Sequence, residues 1–173
     1  TNGEFLAPGP AGSIVIQAGS LVVSNHVLHA GNSLTLSVTN SLDDGSLSGG
    51  ADSVIRRNVW NVGYGINLMR LPTQSSLLAT TITNTGLPGA QVPNSWAGWD
   101  RGPVAAGYTN NAAIGRLILD GLTNTTRFQF QPAAGVNALY VDCLELRNHM
   151  TKIDSSGNVA NLQFLPGMKI YYA

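Results

Sequence analysis

The feature that most constrains this chain is an apolar–polar alternation of period two through residues 113–146. Phe128 and Phe130 alternate with Arg127, Gln129 and Gln131, and Leu139, Val141 and Cys143 alternate with Tyr140, Asp142 and Leu144. Such spacing fits strands with one buried face, because successive side chains of a strand point to opposite sides. Asp120-Gly121 and Ala134-Gly135 read as reversals between three strands, since glycine takes positive φ without steric cost. The spacing predicts Phe128, Phe130, Leu139 and Val141 as core. Cys143, the lone cysteine, falls on their side of the strand. It can form no internal disulfide and is expected to be a buried small hydrophobe rather than a catalytic thiol.

The same alternation opens the chain. Within residues 13–42, Leu34, Leu36 and Val38 alternate with Ser33, Thr35, Ser37 and Thr39 without a fault. Turn signals at Ala18-Gly19, Ser24-Asn25 and Gly31-Asn32 separate short strands, and AGSLVV resembles AGNSLTL. A weak repeat of this kind suits either a β-solenoid rung or a hairpin meander. Residues 1–12, with Pro8, Gly9, Pro10 and Gly12, read as an extended lead-in that could hold a short edge strand at Glu4-Phe5-Leu6. Further strands are expected over 53–57, 66–71, 77–83 and 168–172. Residues 84–111 carry three prolines together with Trp96, Trp99 and Tyr108, the pattern of a long, irregular, functional loop. No stretch holds a helical apolar stripe. The expectation is a single all-β domain over residues 13–173, a β-sandwich or jelly-roll-like fold with little or no helix. The N-terminal ladder could add a short solenoid-like edge to it.

Charge narrows the function classes. Only 10% of the 173 residues are charged, far below the usual quarter, while 43% are hydrophobic and the net charge is zero. A disordered chain has the opposite balance, so a folded domain with a surface of hydroxyls and amides is expected. Two lysines and scattered arginines, of which only Arg56-Arg57 are adjacent, give no basic stripe for nucleic acid. No apolar run approaches the roughly 18 residues of a membrane-spanning helix, so membrane insertion is not expected. The chain begins at Thr1 without a signal peptide, as a piece excised from a longer polypeptide would.

Two groups of segments carry a family resemblance: the ladder AGSLVVSN…AGNSLTLSVTN, and IGRLILDG…NALYVDCLEL with LPGMKIYYA. They resemble modules of large secreted bacterial surface proteins built from haemagglutinin-like or autotransporter-passenger repeats. The resemblance implies an extracellular or cell-surface, all-β, non-enzymatic module serving adhesion or structure. Its partners would be neighbouring domains or copies of itself joined through edge strands. Residues 84–111 break any regular rung spacing, which favours the sandwich.

Catalytic motifs are missing: neither Gly-x-Ser-x-Gly nor His-Glu-x-x-His occurs, and no pair of acids stands out. No enzyme is expected. His26 and His29, three apart on a strand, point to opposite faces and do not suggest a shared metal. Asp43-Asp44-Gly45 reads as a solvated turn and no cofactor is expected; the alternative is a structural Ca²⁺ shared with a distant carboxylate such as Asp100. The leading binding candidate is the loop around Asn94, Trp96, Trp99, Asp100 and Arg101, with Tyr108 beyond it. Aromatic plates beside amides and carboxylates suit sugars, whose rings offer C–H faces and rim hydroxyls. The alternative function is therefore a carbohydrate-binding module that takes a surface glycan on this aromatic loop.

Overall fold

The computed structural model describes residues 3–7, 9–22, 26–30, 33–43, 50–52, 57–68, 77–96, 98–109, 111, 113–132 and 136–173. The described chain is mostly β-strand, and every pairing between its strands is parallel. The first turn of chain lays down β1 (Gly3–Ala7), β2 (Ser13–Ala18) and β3 (Leu21–Val22). The second lays β4 (His26–Ala30), β5 (Ser33–Val38) and β6 (Leu42–Asp43) beside them, and the third adds β7 (Gly50–Asp52), β8 (Arg57–Val62) and β9 (Ile66–Leu68). Later turns contribute β10 (Leu77–Asn84) and β11 (Gln91–Trp96), β12 (Ala113–Gly121) and β13 (Arg127–Pro132), and β14 (Ala138–Asn148) and β15 (Leu162–Phe164), before β16 (Lys169–Tyr172). Stacked, they form a seven-stranded sheet β16-β14-β12-β10-β8-β5-β2, a six-stranded sheet β15-β13-β11-β9-β6-β3 and a three-stranded sheet β1-β4-β7. Sequential strands thus belong to different sheets, and each strand pairs with its counterpart one turn earlier. This is a parallel β-coil.

The β-sandwich or jelly-roll-like expectation is overturned by this pairing. Both folds are built from antiparallel strands joined by hairpins or Greek keys, and none of the named strands pairs that way. The anticipated reversal at Asp120-Gly121 is no turn either: both residues lie inside β12, and Gly121 pairs with Asn148. Ala134-Gly135, Ser24-Asn25 and Gly31-Asn32 lie outside the described residues, as does most of the strand expected over 53–57. The lead-in contains β1, paired with β4. Residues 84–111 are less irregular than expected, since β11 runs through them and joins the six-stranded sheet.

Stacking explains the core. One interior column runs Ile16, Leu36, Trp60, Ile82, Leu117, Leu144 through paired positions, and a second runs Ala18, Val38, Val62, Asn84, Leu119, Leu146. From the six-stranded sheet, Leu42, Ile66, Asn94 and Phe130 stack against them. Phe128, Phe130, Leu139 and Val141 are fully buried, as the alternation predicts. The polar members of the columns satisfy each other: Asn84 Nδ2 donates to Asn94 Oδ1 at 3.0 Å, and Asn94 Nδ2 donates to the Val92 carbonyl. A buried amide without such partners would cost about 1–3 kcal/mol.

Cys143 departs from expectation and is exposed. The cause is a break in alternation shared by three adjacent strands. Leu77 and Thr80 in β10, Ile114 and Leu117 in β12, and Val141 and Leu144 in β14 all face inward although three residues apart. The β10–β12 register slips between Leu77 and Thr81 at this level. Past the break, parity reverses and Cys143 is carried to the outer face beside Arg116.

Candidate functional site

Four of the six sequence candidates, Trp99, Asp100, Arg101 and Tyr108, lie in residues 98–109, which fold back over the outer face of β12, β14 and β16. The segment is held by its backbone first. The Gly98 carbonyl accepts from the Asn137 and Ala138 amides at 3.0 Å each. Asn111, fully buried, closes the loop: its Nδ2 donates to the Trp99 and Gly107 carbonyls, and its Oδ1 accepts from the Trp99 amide at 2.9 Å. Residues 105–108 form a single 3-10 turn, and Gly107 lies against the Tyr140 ring so closely that a Cβ would sit 2.0 Å from it.

Beneath the loop stand Tyr140 and Tyr171, and the loop's own Tyr108 joins them. Tyr140 meets Tyr108 edge-on at 5.3 Å and stacks on Tyr171 at 4.8 Å. The Tyr140 hydroxyl accepts from the Arg101 amide and donates to the Gly102 carbonyl. Asp100 ties the loop to the last strand: Lys169 Nζ donates to its Oδ2 at 2.6 Å, and the Tyr171 hydroxyl donates to its Oδ1 at 2.8 Å. The Lys169 contact, with the Gly102 amide and the Tyr171 hydroxyl, lowers the Asp100 pKa from 3.8 to about 2. The same bond raises Lys169, and the hydrogen bond to Asp100 raises Tyr171. Burial pushes Tyr140 and Tyr108 upward. Asp100 is thus held ionised and the tyrosines protonated, an arrangement that fastens a loop rather than moving a proton.

The candidates separate accordingly. Asn94 is interior and belongs to the Asn84 pair. Trp96 ends β11, and its side chain lies outside what is described. The Arg101 guanidinium donates to the Ala106 and Thr109 carbonyls and lies 5.7 Å from the Trp99 ring centre. The Tyr108 hydroxyl reaches the Val141 and Tyr171 carbonyls. Among those of the six whose side chains are described, Trp99 is the exposed aromatic one, 45% accessible. Sequence reasoning missed Asn111, which closes the loop from its own end, and Tyr140, Lys169 and Tyr171, which come from rungs that coil closure brings under the loop. Asp43 lies in β6, and Asp44 and Gly45 fall outside the described residues; Asp100, the other proposed Ca²⁺ ligand, is paired with Lys169. Among the described residues no three of His, Cys, Asp and Glu converge as a metal site would require. The side chains of His26 and His29 are likewise outside the description.

No family model matches the chain, and neither a curated protein nor a solved structure does.

The outer faces are the other candidate surface. On the six-stranded sheet Gln91 and Gln129 both donate to Gln163, and Gln131 donates to Ser95 at 2.7 Å. On the seven-stranded sheet Arg116 and Arg147 both clasp Glu145, whose pKa they lower, Arg147 first. Apart from the Arg147–Glu145 contact within β14, these bonds join side chains of different rungs.

Proposed function

We propose that the protein is a non-enzymatic, extracellular or cell-surface module that serves adhesion or structure. The observation that carries this reading is the parallel coil itself, with its outer faces of hydroxyls and amides repeating from rung to rung. Such a coil presents a long, rigid, neutral surface whose stability comes from nearest-neighbour stacking. The resemblance to haemagglutinin-like and autotransporter-passenger modules supports the same reading. Edge strands β2 and β16 of the large sheet also offer backbone for pairing with a neighbouring domain or a second copy.

The test is adhesion without turnover. Beads coated with the protein should be retained on epithelial monolayers or bacterial cells above an albumin-coated control. Retention no greater than the control would overturn the reading, as would release of product from cell-surface material on incubation with the protein.

A further inference from the structure

A groove of about 660 Å³ follows the corner between the seven-stranded and six-stranded sheets. Successive turns of the coil line it: Gln17 to Gly19, Ser37 to Thr39, Asn61 to Gly63, Thr85 to Leu87, and Leu122. Five rungs at about 4.8 Å spacing give it a length of about 19 Å. It therefore runs along the coil axis, across the strands.

Its chemistry is specific. No charged side chain lines it. Gln17, Ser37 and Asn61 stack in register on one side, so amides and a hydroxyl repeat at rung spacing. Among the described residues none of these three side chains has a hydrogen-bond partner, whereas the glutamines of the six-stranded sheet bond to one another. Leu87 and Leu122, 38% and 51% exposed, supply apolar surface on the other side. The corner backbone is already used: the amides of Thr39, Gly63 and Thr85 donate to the carbonyls of Ala18, Val38 and Val62. An extended peptide needs free main-chain groups to add itself to a sheet, and these donors are not free.

We propose that this groove binds a neutral, unbranched glycan along the coil axis. The leucines meet the C–H faces of its rings, and Gln17, Ser37 and Asn61 hydrogen-bond its hydroxyls. The proposal rests on the adhesion reading and names its ligand class, and it locates the glycan away from the aromatic loop, whose polar groups are bonded internally.

Cellohexaose, mannohexaose and laminarihexaose, with hexagalacturonate as the acidic counterpart, test it by titration calorimetry. At least one neutral hexasaccharide should bind and hexagalacturonate should not. Asn61→Ala with Leu122→Ala should weaken binding about tenfold or more, from one lost hydrogen bond and one lost apolar contact. Gln17→Ala, an independent change at an exposed position, should weaken it in the same direction, and Gln129→Ala on the six-stranded face should not. Absence of neutral-sugar binding at millimolar concentration overturns the proposal. So does stronger binding of the acidic sugar, binding that survives the groove variants, or binding lost in Trp99→Ala. Bead adhesion that persists unchanged in the groove variants refutes this inference alone, whereas failure of the unaltered protein to adhere refutes the adhesion reading.

Discussion

Replacing Gly115 with alanine should damage the fold far more than one methyl group suggests. A Cβ at this position would lie 2.0 Å from the Leu78 carbonyl oxygen, 2.9 Å from its carbon and 3.3 Å from the Thr80 oxygen. Real Cβ contacts begin near 3 Å, so β10 and β12 must part by about 1 Å at the level where their register slips. The neighbours are backbone atoms, and no rotamer change relieves the clash. Overpacking of this kind costs about 1–3 kcal/mol. Stretching the adjacent strand-pair hydrogen bonds adds about 1 kcal/mol for each of two. The expected loss is about 3–5 kcal/mol. Two other glycines calibrate it. Gly102 has φ +75° and nothing within 4 Å of a Cβ, so Gly102→Ala should cost about 1–2 kcal/mol from backbone strain alone. Gly9, also open and without positive φ, should change stability by less than about 1 kcal/mol. Urea unfolding followed by tryptophan fluorescence measures all three, with buried Trp60 paired to β10 as a nearby reporter. A Gly115→Ala variant no less stable than Gly102→Ala would refute the close approach of β10 and β12.

Phe130→Ala should cost about 3–5 kcal/mol in the same assay, because the ring is fully buried and stacks on Phe164 at 5.7 Å; a loss under about 1 kcal/mol would place that face in water. The Asp100 carboxyl has a folded pKa below its ordinary value, so its contribution is present above about pH 4 and is lost as pH falls toward 2. Hydrogen-exchange protection at Lys169–Tyr172, relative to the intrinsic rate at each pH, should fall across that window in the unaltered protein, and in Asp100→Asn it should be already low and unchanging there; a protection profile unaltered by the substitution would mean the loop is not held through Asp100. Cys143 should react with a maleimide in the folded protein at a rate near that of a free thiol, whereas protection lifted only by urea would contradict its outward position.

The strands and their inward faces were legible because period-two alternation requires only one wet side. Parallel sheets are usually buried on both faces and lose that alternation. A coil keeps its outer face in water, so Leu34, Leu36 and Val38 look the same in a solenoid as in a sandwich. Direction was therefore unreadable from pattern alone, and Gly121, inside β12, passed for a reversal. The repeat was visible but misaligned. Ser33 pairs with Ser13 rather than with Ser20, so the segment matching AGNSLTL is AGSIVI at residues 11–16, one strand before the copy that drew attention. Cys143 failed for a different reason: the three-residue step at Val141 and Leu144 reverses parity, and nothing local marks it except Gly115 on the neighbouring rung. At the loop, Trp99, Asp100, Arg101 and Tyr108 do share one segment, but their polar groups are bonded within the molecule. Of their partners, Asn111 closes the loop locally, while Tyr140, Lys169 and Tyr171 became neighbours only through coiling, so the cluster's fastening role was not legible.

The parallel coil underlies the groove, the ladders and the outer faces alike, and one column of outward positions tests it directly. Val15, Thr35, Val59, Thr81, Arg116 and Cys143 follow one another through paired registers. A nitroxide on native Cys143, paired in turn with one at Val15→Cys, Thr35→Cys and Val59→Cys, gives three distances by pulsed electron resonance. The coil predicts about 24, 19 and 14 Å, falling by one rung spacing of about 4.8 Å at each step. Distances that fail to shorten in that order, or that place position 15 closer to Cys143 than position 59, would contradict it.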